Sequence, residues 1–288
     1  MSNNILTIGL ATYDDYDGVF FTIQSIRMYH LNKQLQDRVE FIVLDNNPNS
    51  AHGQQCKKFL ETAVPNSKYI PYTDKVSSFN KYEINNYATG KYVLIMDCHV
   101  LLANNAIKLL LDYFEKNPDC KNLIQGPLLY DKLDEVATHF KPHWGSDMYG
   151  AWALNKEAFN KGEPFEIEMQ GMGLFAYEKN NWPGINENFK GFGAEEGYIA
   201  EKFRQNGGKN ICLPQLQWVH RFGRPNGVKF PLVLEDRVWN YLLGWIELTG
   251  DINHPMIQSI VDYFSTRIPK DKVWKILNRI LEEFEVPK

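Results

Sequence analysis

No run of apolar residues in this 288-residue chain reaches the roughly 18 to 20 that a bilayer crossing requires, so the sequence predicts no membrane-spanning helix. Cysteine is sparse. The four, at 56, 98, 120 and 212, form no Cys-x-x-Cys pair, which fits reduced thiols and argues against a zinc knot or a disulfide frame. Asn-x-Ser/Thr acceptor sites are absent, and the opening MSNNILTIGLATYDD lacks the basic segment of a cleaved signal peptide. These absences predict a cytoplasmic protein. Neither sign of charge dominates: a net charge of -4 argues against a surface built mainly to hold nucleic acid by counterion release, while leaving room for a local basic groove. There is no Gly-x-x-x-x-Gly-Lys-Ser/Thr loop, no Gly-x-Gly-x-x-Gly after the first strand and no Gly-x-Ser-x-Gly elbow. ATPase, dinucleotide-dependent dehydrogenase and serine hydrolase readings lose their main support.

What is present is an ordinary globular composition, 44% hydrophobic and 23% charged, long enough for one large α/β domain or two small ones. Aromatics reach 14%, which suits an aromatic-rich core or rings that stack on carbohydrate faces. Over the first hundred residues strand patterns alternate with helical ones: NILTIGLATY, GVFFTIQSIRMYHLN, VEFIVLDNN, QQCKKFLETA, KYIPY, FNKYEINNYATG and KYVLIMD. Such alternation predicts βαβ units and a mostly parallel sheet, whose ligands gather at the carboxyl ends of strands, where Asp45 and Asp97 stand. Further on, the pattern predicts one helix over about 101–117 and strands in LIQGPLLYD, MYGAWALN and QGMGLFAYEKNNW. A helix after GFGAEE, a last strand in KNICLPQLQWVH and amphipathic helices from about 231 follow.

The run YVLIMDCHVLL carries an acid, a thiol and an imidazole into an apolar strand. Alternate residues of an extended chain share a face, so Asp97 and His99 there can share one divalent cation while Cys98 packs inward. A purely structural reading, Asp97 capping a turn and His99 making one hydrogen bond, fits the spacing too. His220 in LQWVHRFGRP is a candidate third ligand, followed by Arg221 and Arg224, whose guanidinium groups suit a diphosphate. A lone histidine of this kind also serves structure alone. Glu195 and Glu196 open a predicted helix, where the dipole favours the ionised carboxylate that a general base needs; ordinary preference for acids in a first turn explains them as well. Gly191 and Gly193 before them allow a close backbone approach or simply a turn.

The ordered set of these pieces resembles the GT-A glycosyltransferases, family 2 especially, with a close echo of the polypeptide N-acetylgalactosaminyltransferases. MDCHV resembles the Asp-x-Asp motif in an Asp-x-His form. QGMGLFAYEKNNWPGINENFKGFGAEEGYIAEKFRQNGG is similar to the acceptor-side segment, and VHRF to the late histidine of the metal site. The resemblance covers roughly residues 5–230. It implies a GT-A type nucleotide-sugar-binding α/β fold, with a mostly parallel central sheet flanked by helices, to which the amphipathic helices from about 231 add a C-terminal helical extension. It implies a catalytic domain over 1–230, divided into a nucleotide-binding half (1–100) and an acceptor half (101–230), with the extension at 231–288. Asp97, His99 and His220 would hold Mn²⁺ or Mg²⁺ on the diphosphate of a nucleotide sugar, with UDP-sugar the leading donor. Thr12, Tyr13 and Asp45 would face the base and ribose, Trp182 would form part of the acceptor wall, and Glu196 stands in the place of the catalytic Asp of inverting members.

Two departures stand out: Glu196 replaces the usual Asp or Asn, and SSFNKYEINN lacks the usual Arg/Asn helix start. The C-terminal helices match nothing in the family; covering the acceptor groove, docking another subunit as in a homo-oligomer, and lying on a membrane surface are their candidate roles. The expected activity is metal-dependent hexosyl or pentosyl transfer to an acceptor hydroxyl on a glycan, a protein or a modified nucleic acid base. Alternatives are a non-catalytic nucleotide or sugar binder on the same fold and a nucleotidyltransferase.

Overall fold

The computed structural model describes residues 3–223 and 231–285. In chain order the elements are β1 (Leu6–Thr12), α1 (Tyr16–Tyr29), β2 (Val39–Asp45), α2 (Ala51–Ala63), β3 (Ser67–Pro71), a 3₁₀ turn (Ser78–Glu83) running into α3 (Ile84–Tyr87), and β4 (Tyr92–Asp97). There follow β5 (Val100–Leu102), α4 (Ala106–Lys116), β6 (Leu123–Gln125), β7 (Leu128–Leu129), β8 (Val136–Ala137), β9 (His139–Gly145), β10 (Met148–Ala153), α5 (Lys156–Lys161), β11 (Phe165–Glu166) and β12 (Leu174–Glu178). The chain closes with α6 (Glu195–Gln205), β13 (Asn210–Cys212), β14 (Trp218–His220), α7 (Leu234–Thr249), α8 (Pro255–Phe264) and α9 (Lys270–Glu283).

The main sheet has eight strands in the order β11-β13-β6-β12-β4-β1-β2-β3. β1, β2, β3, β4, β6 and β13 run one way and β11 and β12 the other, so the sheet is mostly parallel, as expected. Its central strands are buried on both faces, which is why they read as unbroken apolar runs. In β4, Leu94 and Met96 join one core cluster, with α1, α2 and α4, while Val93 and Ile95 join another with α6 and the C-terminal helices. Val238, Leu242, Ile260 and Leu277 of α7, α8 and α9 thus share a core with the sheet.

Four expectations change. The apolar run 92–102 is two strands, because Cys98 and His99 form a turn and β5 leaves for a second sheet, β5-β14-β7-β8. The helix predicted from 101 therefore starts at Ala106. KNICLPQLQWVH likewise splits into β13 and β14, one in each sheet, and the helix expected in FNKYEINNYATG is mostly a 3₁₀ turn. The split strands share one cause: apolar residues continue across a change of partner, and burial alone does not mark where a strand changes sheets.

Candidate functional site

The carboxyl ends of β1 and β4, the turn after β4, and β14 meet on the wall of a cavity of about 790 Å³. β14 pairs antiparallel with β5, His220 opposite Val100, and this pairing returns a residue late in the chain to the turn at Cys98–His99. His220 Nε2 lies 3.2 Å from Asp97 Oδ2 and 3.1 Å from His99 Nε2. The ligand atoms of Asp97, His99 and His220 all lie within 4.8 Å of one another. Asp97 and His99 meet through the turn rather than by the strand alternation assumed from their spacing.

His99 is aimed by a residue not singled out in the sequence. Its Nδ1 donates to Asp15 Oδ2 at 2.8 Å, which leaves Nε2 with a lone pair facing the other two donors. Asp15 also caps α1, accepting from the Gly18 amide at 3.0 Å, and receives Arg221 Nη2 on both oxygens at 2.9 and 3.0 Å. Burial pushes the Asp15 carboxyl up, but His99, the Gly18 amide and Arg221 outweigh it and hold it well below the usual range. A side chain at Gly18 would press within 2.7 Å of the Cys98 carbonyl, so only glycine lets α1 approach the turn this closely.

Asp15, Cys98 and His99 form a second close group. Burial and the Asp15 charge push the Cys98 thiol well above its ordinary value, so it stays protonated and packs, as expected, in the core. This trio reads as a hydrogen-bonded support for His99. The Asp97 trio has a different character. Donors about 3 Å apart match neighbouring positions around an ion bonded at about 2.1 Å, and one carboxylate with two imidazoles is a donor set for a divalent transition metal. His220 Nδ1 is buried without a hydrogen-bond partner, so its ring is held by the Nε2 contacts to Asp97 and His99 and by packing against Phe222, 4.2 Å away between ring centres. The residues present therefore fit a divalent cation.

Lys81, buried on the 3₁₀ turn, is the second residue missed. Its Nζ donates to the Met172 carbonyl at 3.0 Å and stands 3.8 Å from both Asp97 Oδ1 and Glu195 Oε1. Desolvation pushes Asp97 up, but Lys81, His220 and His99 win and hold it well below the usual carboxylate range. Lys81 thus links the metal-site candidate to the two glutamates of α6, both on the cavity wall. Glu195 Oε2 is buried without a partner. Glu196 is pushed up to about 8, first by burial and then by the Glu195 charge, against the pull of Lys81 and Arg237.

Thr12 and Tyr13 line the cavity at the end of β1. Asp45 does not: it is fully buried, accepting from Tyr69 Oη at 2.7 Å and the Asn47 amide at 2.9 Å, and its neighbour Asn46 reaches the wall instead. Trp182 is also displaced from its expected role. Its ring stacks on Tyr82 at 5.5 Å and Tyr177 at 4.8 Å beside Phe203, closing the core, and the aromatic wall consists of Phe140, Trp152, Phe192, Trp218 and Phe222. Arg221 sits outside the lining, partly exposed and paired with Asp15. Arg224 lies outside the described residues. All four cysteines are buried and free. Among the described residues no helix is long and apolar enough to cross a membrane.

The sequence model described as Glycosyl transferase family 2 matches residues 7–159. No curated protein matches the sequence. Among solved structures, GalNAc-T7 with UDP, GalNAc and Mn²⁺ aligns at a TM-score of 0.72 and 15% identity, covering 99% of this chain and 55% of that one. TarS 1-349 of S. aureus in complex with UDP-GlcNAc aligns at 0.61 and 14% identity, covering 98% and 82%. The mannosyltransferase PcManGT of Pyrobaculum calidifontis, in complex with GDP-Man and Mn²⁺, aligns at 0.56 and 13%, covering 98% and 75%. The chain spans about half the length of the first of these, and at such identities the likeness is one of fold.

Proposed function

The chain belongs to glycosyl transferase family 2, with the GT-A type fold its sequence predicts, and from that membership we propose that it moves a sugar from a UDP-sugar to an acceptor hydroxyl with the help of a divalent cation. One observation carries the reading: Asp97, His99 and His220, brought from β4, its following turn and β14, converge on the wall of a cavity that also holds Glu195 and Glu196. A cation bound there supplies positive charge where the leaving diphosphate becomes negative. Two imidazoles beside one carboxylate favour Mn²⁺ over Mg²⁺, which prefers oxygen.

The chain's own residues do the rest. Thr12 and Tyr13 border the nucleoside end, and Arg221 stands at the rim beside the diphosphate. Lys81 keeps Asp97 and Glu195 in place. Glu196 takes the proton of the acceptor hydroxyl as the bond from sugar carbon to phosphate oxygen breaks and the new glycosidic bond forms. Burial and the Glu195 charge override the helix dipole expected to keep Glu196 ionised, so it acts as base from the deprotonated fraction that grows towards about pH 8, where its proton affinity exceeds that of an ordinary carboxylate. Glu195, tied to Lys81, orients the hydroxyl. The transferred group is a hexosyl or pentosyl residue, and four reduced cysteines keep the cytoplasm as the proposed location.

A thermal-shift series with UDP and Mn²⁺ tests the reading, since a ligand specific to the folded state raises the melting temperature. UDP with Mn²⁺ is expected to stabilise by about 2.7 kcal/mol at a hundred times its dissociation constant, and UDP-sugar to be consumed. Binding without any consumption of UDP-sugar, hydrolysis included, identifies a non-catalytic binder, and no response to UDP and Mn²⁺ together sinks the proposal. Asp15→Ala is expected to weaken Mn²⁺ binding by about 10- to 100-fold, read by electron paramagnetic resonance of the free ion, because His99 loses the partner that sets its tautomer. Undiminished affinity removes Asp15 from the metal site.

A further inference from the structure

We propose that Arg237, on helix α7 and beyond the segment matched by the family, is a positioning residue for the acceptor half of the cavity. It ties the tip of the β9–β10 hairpin to the glycine turn ahead of Glu195 and Glu196. The inference rests on the transfer reading above and assigns a role to the C-terminal helices.

Two walls face each other across this half of the cavity. One is the hairpin, which presents His143, Ser146, Met148 and Trp152; the other is the stretch from Phe192 to Glu196. Arg237 touches both. Its Nη1 donates to the Asp147 carbonyl at the hairpin tip at 3.0 Å, and its guanidinium lies over the Phe192 ring, 5.4 Å from the ring centre. A side chain at Gly193 would come within 2.8 Å of Arg237 Nε, so the turn and the arginine are in direct contact.

The rest of the helical extension reinforces the same two points. On the turn side, Asn240 is fully buried; its Nδ2 donates to the carbonyls of Lys190 and Gly193 at 2.7 and 3.1 Å, and its Oδ1 accepts from the Lys190 amide at 2.7 Å. On the hairpin side, the amides of Tyr149 and Asp147 donate to the hydroxyls of Tyr241 and Tyr263 at 2.7 and 3.0 Å. Arg267 Nε meets Asp147 Oδ1 at 2.9 Å.

Both anchor points are backbone in the left-handed region at residues other than glycine. Ser146 and Asp147 have φ of 50° and 59°, and Ala194, the N-cap of α6, has φ of 83°. Such backbone persists only where its surroundings hold it, and α7 and α8 are those surroundings for the hairpin tip. The carboxylate of Glu196 hangs from one anchored segment, and an acceptor resting on Trp152 and Met148 hangs from the other. Their separation is therefore set through Arg237. The donor end stands on β1, β4 and β14 and is held by other elements.

The test uses the full chain, with Arg237→Ala and Arg237→Lys. Hydrolysis of UDP-GlcNAc, UDP-glucose and UDP-GalNAc by water in the presence of Mn²⁺ is followed as UDP release, alongside UDP titration and amide hydrogen exchange. Arg237→Ala is expected to lower kcat by about 10- to 100-fold, the effect of a misplacement near 1 Å, with donor KM and UDP affinity unchanged. The amide of Asp147 is expected to exchange at least about 10-fold faster while those of β1 and β4 hold. Arg237→Lys keeps the charge but loses the fork, and is expected to recover part of kcat.

An unaltered kcat, equal losses in kcat and UDP affinity, or unchanged exchange at Asp147 overturns the assignment. A wild-type chain that binds no UDP with Mn²⁺ overturns the transfer reading itself, and the acceptor role with it. Failure of Arg237 alone shows instead as a wild type that binds and cleaves while the variant matches it.

Discussion

On the proposed reading, Asp97→Ala is expected to lose metal-dependent sugar transfer, by about a thousand-fold or more, and with it any stabilisation by Mn²⁺ and UDP together. The expected size follows from what a cation supplies. Several kcal/mol of charge stabilisation at the leaving diphosphate corresponds to at least three decades in rate. The fold survives, because Lys81 keeps the Met172 carbonyl and Glu195 as partners when Asp97 is removed. Asp97→Asn refines the test by keeping shape and removing charge: it should lose nearly as much turnover with even less change in melting temperature. Full transfer activity in either variant, with secondary structure intact by circular dichroism, means the cation is held elsewhere or is not used.

Glu196→Gln is expected to lower kcat by about 10²- to 10⁴-fold with donor KM little changed, since a general base acts in the transition state and not on donor binding. The pH profile adds a separate check. Burial and Glu195 raise the Glu196 carboxyl from 4.5 to about 8, so the wild-type rate should climb as pH rises through that region and the deprotonated base accumulates. Stability should move the other way. A carboxyl that holds its proton more tightly when folded contributes most below its unfolded value and loses that contribution as pH rises towards the folded one. Between about pH 4.5 and 8 the wild type should therefore lose stability relative to the Gln variant. Parallel melting curves and a flat rate profile sink the assignment of Glu196 as base.

The sheet was legible because β1, β2 and β4 are apolar on both faces and the helices between them carry helical spacing. The Asp-x-His turn was legible as a cluster out of place in such a strand and His220 as a candidate third ligand from its arginine-flanked loop, but only the resemblance joined the three, because no local pattern links residues on β4 and β14. Lys81 escaped notice because FNKYEINNYATG reads as a helix on which a lysine faces solvent, whereas it stands buried on a 3₁₀ turn. Asp15 escaped because an acid before a helix already has an explanation as a cap. Asp45 and Trp182 were misplaced for the opposite reason: they occupy positions where a family resemblance expects ligand contact, and here the Tyr69 hydroxyl and the core aromatics claim them first. The C-terminal helices were legible as helices from amphipathicity, which says that one face is covered and nothing about what the covering holds in place.

The junction of β4 with β14 also orders events during folding. His220 meets Asp97 across 123 residues and His99 across 121, and closing loops of that length is slow compared with forming the local βαβ units. A chain still emerging, or one whose smaller sheet has not yet docked, offers an ion at most the neighbouring pair. If the proposed cation binds there, its tight capture is a signature of completed assembly, and chelators added during refolding should leave the early phases untouched while abolishing a late stabilising step.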